Sequence, residues 1–370
     1  MNVPLVWRNL LYEKGKLVIS IASIAAALAL ILLLLGFRAG LYVTLTAFVD
    51  HIGADVIVAQ NGTQGMLTSN SIVPLNLHDE AAATVKAQEA GHIIVAGTIF
   101  TYNDNKTPVL LVGYDPFTPL GQPWNIGQGR GVQADNEILL DTWLAQRNGL
   151  AVGDSVHILG QRFVIVGLTR ETASWMSPYI FVSLGAAASV LGLSNMVSYH
   201  LLRLPPGLEA SQAIKTIEQG IAGIDALTPQ EIAEADQRVL ATIMDTPLNV
   251  MIVIGLVIGV AVMGLTAYTA VMDHLQEYGV LKAVGISGWR LSWLVIVETF
   301  YRAMLGFVTG IGLAYAAAAL IMTLWPQFTI VIQPQTIVQA GWLTLIMTFL
   351  AVWLPIQRLN QIDPLLVFKQ

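Results

Sequence analysis

Four stretches of the chain are apolar over a length that suits a membrane-crossing helix, and one long stretch between the first and second is not. Residues 17–37 carry no charge between Lys16 and Arg38, and residues 246–272 carry none between Asp245 and Asp273. Residues 303–325 form the third run, preceded by 291–302, which is apolar apart from Glu298, Arg302 and a few polar side chains; residues 337–355 form the fourth. About 20 apolar residues cross a bilayer as a helix, and each run meets or nearly meets that length. The pattern predicts four transmembrane helices at 17–37, 246–272, 291–325 and 337–355.

Between the first two spans the pattern changes to short apolar runs and short helical stretches. Asp55-Val-Ile-Val-Ala-Gln, His92-Ile-Ile-Val-Ala, Pro108-Val-Leu-Leu-Val-Gly, Glu137-Ile-Leu-Leu-Asp and Tyr199-His-Leu-Leu-Arg-Leu predict strands. Residues 79–89, 141–148 and 207–219 predict helices, and 150–168 predicts a hairpin joined at Gly160-Gln161. Residues 38–52 extend the first helix, and 231–244 form a helical stalk back to the membrane. Mixed strands and helices make residues 38–245 an α+β domain inserted between helices 1 and 2. There is no internal repeat of the kind that builds inverted-repeat transporters.

Composition sharpens this picture. The chain is 55% hydrophobic and 11% charged, against about 25% charged for a soluble protein. The first run is too long for a signal-peptide core, and no small-x-small cleavage site followed by a polar mature start appears. Lysines and arginines cluster before helix 1 (Arg8, Lys14, Lys16), between helices 2 and 3 (Lys282, Arg290) and after helix 4 (Arg358, Lys369), while 326–336 carry no charge. The positive-inside rule then places both termini and residues 273–290 in the cytoplasm and the inserted domain outside it. The net charge of −6 argues against nucleic acid as a partner. No cysteine is present, so the inserted domain rests on its own core rather than on disulfides.

Candidate chemistry is sparse. No G-x-x-x-x-G-K-[S/T] occurs, since Gly15-Lys16 leads into leucine, so the chain has no P-loop and is not expected to be an enzyme. There is no Gly-x-Ser-x-Gly elbow, and no catalytic residue is proposed. The histidines at 51, 78, 92, 157, 200 and 274 show no metal-ligand spacing and are expected to be isolated structural or surface residues, with no metal site. Trp175-Met176-Ser177-Pro178-Tyr179 is expected in an outer loop, with packing favoured over contact with an apolar substrate.

The loop at 273–290 is the most informative. Glu277-Tyr-Gly-Val-Leu-Lys-Ala-Val-Gly-Ile-Ser has Val280, Leu281 and Val284 at helical spacing, Gly279 and Gly285 for close approach, and Glu277 and Lys282 for charge. It predicts a short amphipathic helix. This stretch resembles the signature of the FtsX/MacB-like (type VII) ABC transporter permeases. Three further places resemble the same family: Leu5-Val-Trp-Arg-Asn-Leu-Leu-Tyr-Glu-Lys, the acidic Glu298 early in helix 3, and Arg358-Leu-Asn-Gln-Ile-Asp-Pro-Leu-Leu-Val-Phe. The hairpin pattern at 150–167 resembles one in the periplasmic core domain of MacB-like permeases, and Ala54-Asp-Val-Ile-Val-Ala-Gln-Asn looks like the DevC-like and haem-exporter branch.

The resemblance implies a permease subunit in a bacterial inner membrane, with ATP and Mg bound by a separate P-loop ATPase. It implies an interfacial helix at 1–16, a coupling helix in which Glu277, Tyr278, Gly279, Leu281, Lys282 and Gly285 meet that ATPase, and a cytoplasmic tail at 356–370. It also implies a homodimer contacting membrane lipids, with a periplasmic adaptor protein as a further candidate partner. Independently of the family, Glu298 and Arg302 stand four apart, so they can pair along one helix face as a structural ion pair. A non-transporting scaffold or sensor with a partner-binding outer domain is the alternative.

Overall fold

In a computed structural model, residues 14–103, 105–174, 177–325 and 328–361 are described. Residues 1–13 of the interfacial helix expected at 1–16 and the Asp363-Pro364 motif lie outside the described residues, as do Trp175 and Met176. In chain order the elements are α1 (Lys14–Asp50), β1 (Val56–Gln60), β2 (Val73–Pro74), α2 (Leu77–Val85), β3 (Glu89–Tyr102), β4 (Asn105–Tyr114), β5 (Ile126–Gly129) and β6 (Glu137–Asp141). There follow α3 (Thr142–Asn148), β7 (Ser155–Ile158), β8 (Gln161–Thr169), β9 (Ala173–Ser174), β10 (Ser177–Ser183), α4 (Leu184–Leu191), β11 (Met196–Val197), β12 (Tyr199–Arg203), α5 (Ala210–Gly220) and β13 (Ile224–Leu227). The chain closes with α6 (Pro229–Asp273), α7 (Leu275–Ala283), α8 (Gly288–Leu324), α9 (Pro334–Ala351) and α10 (Trp353–Asn360).

Two compact units result. Residues 41–244 form one, and residues 1–40 with 245–370 form the other. In the inserted domain, a mixed sheet runs β13-β1-β12-β3-β4-β10-β6-β8-β5, with β7 pairing β8 and β9 pairing β10. Period-two alternation decides which side chain faces which layer. Val56 and Val58 of β1 join the core that includes Ala81 and Val85 of α2, Leu144 of α3, Ala186 of α4 and Ile217 of α5. Ile57 and Ala59 join the opposite core, with Phe48 and Val49 from α1 and Ile232 from α6. A sheet buried on both faces needs apolar residues at successive positions, which is what Val-Ile-Val-Ala supplies.

The local signals act as their chemistry dictates. Asp141 caps α3 by accepting from the Trp143 N–H at 2.9 Å. The β7–β8 turn uses Leu159 and Gly160, both at positive φ, one residue earlier than Gly160-Gln161, because a tight right-twisted hairpin favours two left-handed central residues. The expectation of an outer loop at 175–179 is corrected from Ser177 onward. Ser177–Ser183 is an interior strand between β4 and β6, and Tyr179 is fully buried against Phe48 and Phe181. A proline followed by Tyr-Ile-Phe-Val suits a strand start, where no ladder donor is needed.

Among the described residues, four helices are long and apolar enough to cross a membrane. α8 presents buried Ala303, Gly306, Gly310, Ala314 and Ala318 along one stripe, and α1 packs against it. A Cβ at Gly306 would run into Ile24, so glycine there sets the approach of the two helices. Small residues at such spacing let backbones come close where lipid offers no hydrophobic drive for association. Arg38 of α1 pairs with Asp245 of α6 at 3.0 Å.

Candidate functional site

The loop between the second and third spans is helical over Leu275–Ala283. Its end is set by hydrogen bonding. The Gly285 N–H donates to the Lys282 carbonyl at 3.1 Å, and the Ile286 N–H donates to the Leu281 carbonyl at 3.1 Å. Gly285 has φ +96°. This is the Schellman termination, in which a left-handed residue turns the chain so that two late N–H groups satisfy orphan carbonyls. Leu281 and Ile286 both pack on the same apolar cluster, the side-chain contact that accompanies such an end. Close approach is not what Gly285 provides, because a Cβ there would meet nothing within 4 Å. Its requirement is conformational.

The helix has two faces of different character. Tyr278 and Gly279 are buried. Tyr278 shares an apolar cluster with Val271 of α6, Leu291, Leu294 and Val295 of α8, Val352 at the α9–α10 junction and Leu359 of α10, with Leu281 against the same cluster. Burial raises the Tyr278 phenol above its ordinary pKa, with the Glu298 carboxylate adding to the effect. The opposite face carries Glu277, Val280 and Val284, all exposed. Val284 is 78% exposed and Val280 45%. Thus Val280 and Leu281 do not share a face, although their spacing had grouped them; the first points away from the cluster and the second into it. Lys282 is half-buried, and His274 Nδ1 lies 3.3 Å from Glu277.

Glu298 and Arg302 lie one turn apart on α8, and the Arg302 guanidinium donates to the Glu298 carboxylate. Both side chains are largely shielded, at 13% and 14% exposure. The pair therefore stands beside the buried face of α7, within electrostatic reach of Tyr278.

A second cluster escaped the sequence reading. His78 at the start of α2, His92 on β3 and His200 on β12 bring one ring nitrogen each within 4.8 Å of one another. The expectation that each histidine stands alone is corrected for these three. Residue spacing could not reveal them, because sheet register creates the proximity: His200 is the direct partner of His92 across the β12–β3 ladder. Both segments were legible as strands, but not which residue faced which.

Comparison with known proteins agrees with this architecture. The family model described as the MacB-like periplasmic core domain matches residues 17–219, and that of the FtsX-like permease C-terminal region matches 249–364. An uncharacterized ABC transporter permease of Mycobacterium bovis is 24% identical over 365 residues, covering 98% of this chain and 97% of the relative. HrtB of Staphylococcus epidermidis, whose name assigns it to a hemin transport system, is 22% identical over 320 residues, covering 86% and 84%. Among solved structures, the periplasmic region of MacB from Actinobacillus actinomycetemcomitans aligns with 51% of this chain and 95% of its own, at 12% identity and a TM-score of 0.40. The chain belongs to the FtsX-like, MacB-like family of ABC transporter permeases.

Proposed function

We propose that this permease couples ATP hydrolysis by a separate ATPase subunit to export or mechanical work at the outer membrane face, through α7. The observation that carries the reading is the division of α7 into two faces. Tyr278 and Leu281 fix it to the helix ends of the membrane unit, while Glu277, Val280 and Val284 are presented outward. A short helix with an exposed apolar strip suits a groove in a partner. Because the inner face is packed rather than tethered, a push on the outer face moves α6 and α8 with it.

In this reading both termini and α7 are cytoplasmic, following the lysine and arginine bias, and the inserted domain lies outside. The partner ATPase holds ATP and Mg, since no P-loop occurs in this chain. Two copies of the chain assemble with two ATPase subunits. Exposed Ile254, Val257, Ile258, Phe349 and Leu350 on the spans are left to lipid or to the second copy.

The test is ATPase stimulation in proteoliposomes holding both subunits. Replacing Val280 and Val284 together by aspartate is expected to cut permease-dependent ATPase activity at least tenfold with insertion unchanged. Full stimulation by that variant would contradict the docking role of α7.

A further inference from the structure

The three clustered histidines have no part in the reading above, and their geometry is unusually constrained. His200 is fully buried, and its Nε2 lies 3.1 Å from the Pro74 carbonyl oxygen. A carbonyl only accepts, so Nε2 carries the hydrogen. In the neutral ring Nδ1 is then a bare lone pair, and it is buried without a hydrogen-bond partner. His78 Nδ1 and His92 Nδ1 are likewise buried without partners. Buried polar atoms are nearly always satisfied; here three rings that bring one nitrogen each within 4.8 Å of one another each keep an unpartnered buried Nδ1, an arrangement that calls for something that accepts lone pairs.

Protonation does not fill that role. Burial lowers the pKa of all three rings, that of His200 to about 4, so they are neutral at pH 7. Neutral imidazole is the form that ligates metals. The Pro74 carbonyl on the far nitrogen of His200 matches the outer contact that ordinarily orients a metal-bound histidine.

We propose that His78, His92 and His200 form a site for a late first-row divalent cation of the zinc class in the extracytoplasmic domain. Three imidazoles without thiolate suit zinc, copper or nickel and disfavour magnesium and calcium, which take oxygen ligands. Tetrahedral ligation at about 2.0–2.1 Å places nitrogens about 3.3 Å apart, so the ring atoms close by an ångström or so through side-chain rotation. Three ligands leave a fourth position for water or an incoming ligand. His78 and His92 are only half-buried, which gives an ion its way in. Asp79 and Asp115, whose charges are felt at the cluster, offset part of the added positive charge. The site ties α2 to two paired central strands, so occupancy would cross-link the domain.

The experiment uses the full chain in detergent, purified on a tag without histidine and stripped with chelator. Zinc is added, and bound metal is measured by equilibrium dialysis with elemental analysis, with visible absorption of the cobalt-substituted protein as a second readout. One ion per chain, with affinity lowered at least tenfold in both His78→Gln and His92→Gln, is expected. A tetrahedral cobalt spectrum that collapses in the same variants is expected alongside it. The metal-free variants are melted beside the wild type, so that a folding defect is recognised and replaced by the milder His78→Asn. Absence of stoichiometric zinc, or zinc binding unmoved in correctly folded variants, overturns the proposal.

Discussion

Arg38 and Asp245, separated by 207 positions in sequence, meet at 3.0 Å, and they are the charges that bracket the inserted domain. Arg38 ends the first uncharged run and Asp245 precedes the second. The pair thus joins α1 and α6 where each passes from one compact unit into the other. Both side chains are about a third exposed or less. Screening keeps such a pair within about 1 kcal/mol. A double-mutant cycle with Arg38→Ala and Asp245→Ala, read by thermal unfolding in detergent, is expected to give a coupling of that size. Zero coupling would make the contact incidental.

Asp236 holds the loop at 66–68 more firmly. Its carboxylate accepts from the Met66, Leu67 and Thr68 N–H groups at 3.0–3.2 Å and from the Thr68 hydroxyl at 2.7 Å, and the residue is 1% exposed. Removing a buried acceptor strands its donors, at about 1–3 kcal/mol for each group left unsatisfied. Asp236→Ala is expected to lower the melting temperature markedly, and Thr68→Val by much less. Equal melting of Asp236→Ala and wild type would show that the loop finds other acceptors.

Gly285 ends α7 in the left-handed region. At φ +96° a side chain brings about 1–2 kcal/mol of backbone strain, while open space around it removes any steric objection. Gly285→Ala is therefore expected to weaken ATPase coupling through a frayed α7 end, with Gly285→Asn retaining more, since asparagine tolerates this region. Identical loss in both would point to contact rather than conformation.

Acid is expected to destabilise the inserted domain. His200 titrates near 4 in the fold against 6.5 when free, and burial lowers His78 and His92 as well. The unfolded chain binds more protons between these values, so stability is full above pH 6.5 and falls as pH drops toward 4. For His200 the effect is on the order of 3 kcal/mol, with Asp79 and Asp115 opposing part of the shifts at its neighbours. Melting with chelator present, from pH 8 to 4, is expected to show this slope and to show it reduced in His200→Gln. A flat profile in the wild type would contradict the burial argument.

Much of the architecture was legible because it rests on local pattern. Long uncharged runs and the continuous apolar run of β1 each declare themselves in a short stretch of chain. Tyr179 packs as expected, but from a strand rather than an outer loop, because its sheet neighbours are distant in sequence. The partition of α7 was only half legible. Periodicity grouped Val280 with Leu281, and only the packing of Tyr278 fixed which face turns inward. The histidine cluster was not legible, because cross-strand register and the placement of α2 are non-local.

The central claim is that α7 is the contact through which an ATPase drives this permease. The most direct test is purification of the tagged full chain from its native membrane in mild detergent, with mass spectrometry of the proteins that accompany it, beside the Val280→Asp, Val284→Asp double variant. The account predicts a P-loop ATPase in stoichiometric amount with the wild type and its loss from the variant, with equal permease recovered. An ATPase retained by the variant, or none found with the wild type, would contradict it.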